Sequence, residues 1–170
     1  MASIETPKAR KEYVCSKCGT NIKVGEEYVK GTPFRMKPII RCKACGLRPW
    51  ELSSSNYIQT VGSICDFWQD NYGIGEDTAQ SIADELSNLR DELQDNLDNM
   101  PEGLQEGDTG QLLQERIDNL DSAICDLESI DYDTIVEDQK ENITSKEDLD
   151  EYVKDSLSEE IESALGCLDY

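Results

Sequence analysis

"CSKCGTNIKVGEEYVKG", Cys15 to Gly31, and "RCKACG", Arg41 to Gly46, decide how the front of this 170-residue chain folds. Each carries a pair of cysteines two residues apart with a glycine directly after it. That spacing lets two sulfurs of one turn converge on a single ion, and Gly19 and Gly46 let the backbone fold beneath it. The 23 residues 19–41 that separate the pairs are enough for a hairpin and its return. The four thiolates of Cys15, Cys18, Cys42 and Cys45 satisfy Zn²⁺ tetrahedrally with no further ligand, so one structural zinc is the expected cofactor. A redox pair and an iron–sulfur cluster on the same ligands are the competing readings. A redox Cys-x-x-Cys normally opens a helix in a βαβ setting, which is missing here.

The chain contains no histidine. This removes the commonest general base, the Ser-His and Cys-His nucleophile pairs and every mixed Cys/His metal site. A four-sulfur site is closed to water and substrate, and no carboxylate pair stands out in so acidic a chain, so no enzyme is expected and no catalytic residue is assigned. No run of about 18 apolar residues offers a membrane span. The N-terminal residues lack the apolar stretch of a secretory signal, so a cytoplasmic location with reduced thiols is expected. The remaining Cys65, Cys125 and Cys167 lie on or beside helical stripes and read as small buried hydrophobes.

From residue 10 to 55 the sequence reads as short strands and turns, with Gly25 as a turn and Pro33 and Pro38 opposing a helix. Beyond it, apolar residues recur at steps of three and four. Ile58, Val61, Ile64, Cys65 and Trp68 mark a helix over about 56–72, with Ser54, Ser55 and Asn56 as candidate N-caps. Ile82, Leu86, Leu89, Leu93, Leu97 and Met100 mark a second over 77–100, which Pro101 stops. Leu113, Ile117, Leu120, Ile124 and Leu127 mark a third over 111–130. Leu149, Val153, Leu157, Ile161, Leu165 and Leu168 mark a last one over 146–168, with Ser145 and Asp148 spaced as a capping box. The stretch "DYDTIVEDQKEN" between the last two reads as less regular. The expected fold is therefore α+β: a four-cysteine zinc ribbon at 10–55, then an acidic helical hairpin or bundle at 56–170.

Charge divides the same way. Residues 1–50 hold eleven bases and four acids, net +7, whereas residues 51–170 hold five bases and 33 acids, net −28. On the basic side, Lys17, Lys23, Lys30, Arg35, Lys37, Arg41 and Lys43 are candidate phosphate contacts, with Tyr28, Phe34 and Trp50 available for stacking. On the acidic side, Asp84, Asp91, Asp95, Asp98, Asp118, Asp121 and Glu128 are candidate carboxylates for occupying a basic groove in place of nucleic acid.

The Cys15/Cys18 pair, the Ile22-Gly25-Glu26 hairpin spacing, the Cys42/Cys45 pair and the Pro49–Ser55 exit resemble one known group. They look like the zinc-ribbon or treble-clef units of small bacteriophage proteins, of the poly(ADP-ribose) polymerase zinc-finger type. That finger usually has a His as its third ligand, where this chain has Cys42. The resemblance covers the first 55 residues and implies a non-catalytic accessory protein in the host cytoplasm, with nucleic acid contacted by the basic module. The alternative is an acidic DNA mimic of the counter-defence kind, which occupies a host nucleic-acid enzyme. A protein partner is expected on either reading, and self-association through the helices is compatible with both.

Overall fold

The computed structural model describes residues 3–33, 36–140, 143 and 145–168, and it is an α+β protein with short antiparallel strands first and helices after. Two compact units divide the chain within the first helix, between Gly62 and Ser63.

In the first unit β1 (Ser3–Glu5), β4 (Tyr28–Thr32) and β5 (Ile39–Cys42) form an antiparallel sheet in the order β1-β4-β5. The register sets Ile4 opposite Gly31, and Tyr28 opposite Cys42. Strand β1 lies ahead of residue 10, where the zinc module was expected to begin. A separate ribbon pairs β2 (Tyr13–Val14) with β3 (Asn21–Ile22), Tyr13 opposite Ile22. Ala9, Cys15, Ile22 and Tyr28 are buried together, with Tyr13, Ile40, Cys42 and Cys45 packed against them. The Tyr13 and Tyr28 rings lie 5.0 Å apart within this cluster. On the other side of β4, Gly31 leaves room for Leu47 and Leu52, because a Cβ there would collide with both side chains. A 3₁₀ turn, Pro49–Leu52, is fastened to β5 by the Arg41–Glu51 ion pair. Glu51 also accepts the Arg48 backbone N–H at 2.7 Å.

The helices follow as α1 (Asn56–Tyr72), α2 (Thr78–Asp98), α3 (Glu102–Gln105), α4 (Asp108–Glu128), α5 (Tyr132–Lys140) and α6 (Lys146–Leu165). The long stripes read from the sequence are the buried ones. Ile82, Leu86, Leu89 and Leu93 on α2 and Ile117, Leu120, Ile124 and Leu127 on α4 face inward, as do Val153, Leu157 and Ile161 on α6. The second unit is built on the α2–α4 pair, and α6 packs against both α4 and α5. The hairpin is closed at its end by a side chain: Gln105 Nε2 donates to the Met100 carbonyl at 2.8 Å and, at 3.0 Å, to the Leu97 carbonyl, which also accepts the Met100 N–H.

Two local readings are corrected. The stretch after Asp131 is a helix, α5, because the Asp131 carboxylate serves its open end. Oδ1 accepts the Asp133 and Thr134 N–H groups at 3.1 and 3.3 Å, and Oδ2 accepts the Thr134 hydroxyl at 2.9 Å. Those bonds, the Thr134 hydroxyl first, hold the Asp131 carboxyl below its ordinary range. At α6, Ser145 is the N-cap, but its side chain makes no capping hydrogen bond, so the expected box is absent.

Leu120 has no exposed surface, whereas Leu112 on the same helix is 45% exposed. Truncating Leu120 to alanine is expected to cost about 3 kcal/mol, as buried leucines generally do. Leu112→Ala should stay within about 0.5 kcal/mol of wild type. Urea unfolding followed at the helical band of the circular dichroism spectrum measures both.

Candidate metal centre

Each cysteine pair sits in a turn whose shape comes from its own backbone. The Gly19 N–H donates to the Cys15 carbonyl at 3.0 Å, and the Gly46 N–H donates to the Cys42 carbonyl at 3.2 Å. Both glycines have left-handed φ, 72° and 60°, which a side chain would oppose. The two turns therefore repeat one another, one at the β2–β3 ribbon and one after β5. A further bond ties them: the Ser16 N–H donates to the Ile40 carbonyl at 2.9 Å.

The result is a cluster in which the sulfurs of Cys15, Cys18, Cys42 and Cys45 all lie within 4.8 Å of one another. Cys18 Sγ and Cys42 Sγ are 3.7 Å apart. Tetrahedral zinc with sulfur at about 2.3 Å requires sulfur–sulfur edges of about 3.8 Å, so the donor set and its dimensions fit that ion. These four cysteines form a site able to hold a metal. Cys15 is buried, Cys42 and Cys45 are half-buried and Cys18 is exposed.

The electrostatics of the sulfurs favour a cation among them. Burial pushes the Cys15 thiol up, but backbone hydrogen bonds from Cys18, Cys42 and Lys17, with a Cys18 side-chain bond, outweigh it and bring the pKa to about 6. Cys18 is also lowered, first by the Thr20 hydroxyl 3.1 Å away and then by the Thr20 backbone. Cys45 goes the other way, to about 12, because it hydrogen-bonds the Cys42 and Cys18 sulfurs and loses solvent. Four thiolates this close repel one another unless a positive ion lies between them. A bound divalent metal inverts that balance and holds all four deprotonated.

The other expected residues fall in different places. Arg41 is half-buried against Glu51, and Lys43 pairs with Glu27 at 2.9 Å, so both are engaged within the unit. Lys17, Lys23 and Lys37 are exposed, Lys30 is half-buried, and Arg35 and Phe34 lie outside the described residues. Tyr28 belongs to the core and Trp50 is half-buried, its ring against Gly62 at a distance that a Cβ could not share. All seven candidate carboxylates on α2 and α4 are exposed. Cys65 is half-buried, and burial, with Asp66 next, pushes its thiol up to about 11. Cys125 and Cys167 are exposed, correcting the expectation that they are core. Cys125 lies one helical step off its stripe, beside Ile124, and Cys167 lies just past the end of α6, its Sγ 3.5 Å from the Asn119 carbonyl of α4 and 3.6 Å from the Ala164 carbonyl.

Sequence reasoning missed Arg90. Its guanidinium donates to Asp91 at 2.7 Å and across the hairpin to Asp121 at 2.6 Å. The signal was present: among residues 78–98 it is the one cation.

Compared with known proteins, this chain matches no family model, no curated protein and no solved structure. The likeness to the polymerase-type finger thus has no counterpart beyond the four-cysteine cluster itself.

Replacing Cys15 or Cys42 with serine is expected to abolish stoichiometric zinc and melt the strands of the first unit. The helical circular dichroism of the second unit, which has its own core, should persist. Zinc measured by atomic absorption, alongside far-ultraviolet spectra, checks this. Because Cys45 holds its proton at neutral pH, zinc added to metal-stripped protein at pH 7 should release at least one proton per ion. Calorimetry in buffers of different ionisation enthalpy counts it. The thiolate of Cys15 contributes stability that is present above its ordinary value of 9.0 and lost as pH falls through about 6. Protons and zinc compete for the same thiolates, so zinc occupancy should fall as the solution is acidified.

Proposed function

We propose that this is a non-catalytic, zinc-stapled accessory protein that engages a macromolecular partner through its acidic helices. The observation that carries the reading is the arrangement of charge on the α2–α4 pair. Each helix has six acids and one arginine, net −10 for the two, along about 31 Å of helix. That is about one net charge per 3 Å, against about one per 1.7 Å for duplex DNA. Asp84, Asp91, Asp95 and Asp98 fall within about 60° around α2, and Asp118, Asp121 and Glu128 within about 80° around α4. Two carboxylate rows, tied by Arg90, suit a basic groove of a nucleic-acid-handling protein, and release of its counterions would drive the contact. On this reading the zinc unit is a stapled scaffold that adds a lysine-bearing surface to a polyanionic chain. The resemblance to bacteriophage accessory modules would make the partner a host enzyme met in the host cytoplasm.

The second reading, direct nucleic-acid contact by the zinc unit, is favoured by the exposure of Lys17, Lys23 and Lys37. It is weakened by the ion pairs that occupy Arg41 and Lys43.

Affinity capture from bacterial lysate on the full zinc-loaded chain, with and without nuclease, separates the two. The expected result is a nuclease-resistant DNA-handling protein that duplex DNA displaces. Asp84→Asn, Asp95→Asn and Asp98→Asn together should weaken it about tenfold or more, because each lost contact in a charged interface lowers the salt-dependent term. Recovery of nucleic acid alone, lost on nuclease treatment, would overturn the proposal in favour of the second reading.

A further inference from the structure

A groove of about 360 Å³ runs between α5 and α6, walled by Thr134 and Ile135 from one helix and Tyr152, Ser156, Glu159, Glu160 and Ser163 from the other. The five α6 residues share one side of that helix, about a third of a turn from the buried stripe of Val153, Leu157 and Ile161. Tyr152 is 38% exposed, a large apolar ring left in solvent on an otherwise polar side. None of the lining residues among those described is cationic, and residues 132–165 carry twelve acids and three lysines. Lys154, the nearest of the three in sequence, lines a different cavity with Tyr132 and Asp150.

We propose that this groove receives an arginine side chain of a protein partner. An arginine has the two parts that the walls require. Its methylene stem and planar guanidinium cover the Tyr152 ring and Ile135, and its five N–H donors reach the Glu159 and Glu160 carboxylates and the neighbouring hydroxyls. Lysine offers a compact, strongly hydrated ammonium without the planar fork, and so fits less well. The volume lies at the small end of ligand sites, about 300–1,000 Å³, which suits one or two side chains from an extended segment. The proposal rests on the reading that the helical unit binds a basic protein, and it adds a point of recognition away from the α2 and α4 carboxylate rows.

The test is an NMR titration of the full, zinc-loaded, ¹⁵N-labelled chain with a short blocked Gly-Arg-Gly-Arg-Gly peptide. Its counterparts with lysine and with citrulline, and free arginine amide, are run beside it. Shifts are expected at Thr134, Ile135, Tyr152, Ser156 and Ser163, with the arginine peptide tightest and the neutral citrulline peptide silent. Glu159→Gln with Glu160→Gln should weaken binding about tenfold, the loss of charge assistance from the carboxylates. Tyr152→Ala should weaken it, while Tyr152→Phe, which keeps the ring, should not. The proposal is overturned by an absence of binding, by a citrulline peptide that binds equally, or by shifts spread along Asp84 to Asp98. Partner capture by the Tyr152→Ala chain separates the two ideas: retained capture with no peptide binding would sink the groove and leave the carboxylate-row reading standing.

Discussion

Four sulfurs held within 4.8 Å of one another are the constraint on which the first unit depends. A unit of about sixty residues buries too little apolar surface to be comfortably stable alone, and such modules usually rely on a metal or disulfides. Here Cys15 is itself a member of the small core, next to Ile22 and Tyr28, with Cys42 and Cys45 packed on it. Loading a metal on this site would thus also complete the core. The backbone amides that turn toward Cys15 stabilise its thiolate, yet the same crowding holds a proton on Cys45. A divalent ion held by the four sulfurs would resolve that conflict by favouring the thiolate form of all of them.

The second unit faces the opposite problem. Its helices carry far more carboxylate than base, and like charges along a helix and across a hairpin oppose folding. Burial of the leucine and isoleucine stripes on α2, α4 and α6 supplies the counterweight. Local polar contacts help: the Gln80, Gln94 and Gln114 side-chain amides donate to Asp84, Asp98 and Asp118 one helical turn later. Arg90 is placed where its one charge meets two carboxylates on different helices. Most of the other described acids are exposed, where solvation removes most of the mutual repulsion and leaves them able to meet a basic partner. Among the described residues no helix is long and apolar enough to cross a membrane.

Much of this is legible in one dimension because the relevant signals are local. Positive-φ turns at Gly19 and Gly46 follow from glycine after each cysteine pair, and the positions of the long helices follow from the 3.6-residue recurrence of Leu, Ile and Val. Helix α5 was less legible, since its start depends on a side chain, Asp131, that caps rather than on an apolar stripe. The exposure of Cys125 and Cys167 escaped notice because a residue one step from a stripe can turn either way. Strand β1 was missed for a related reason: its pairing with β4 joins Ser3–Glu5 to Lys30–Thr32, and nothing in its immediate neighbourhood announces a partner so distant in sequence.

The sequence by itself determined the ligand set, the segregation of charge and the amphipathic helices, because spacing, composition and periodicity are properties of neighbouring residues. Tertiary structure alone decided which cations are used up internally. Arg41 against Glu51, Lys43 against Glu27 and Arg90 against Asp121 are separated by ten, sixteen and 31 positions, and only folding brings them within a hydrogen bond. It also opened the groove between α5 and α6, whose walls lie far apart in the chain and meet because both helices pack within one unit.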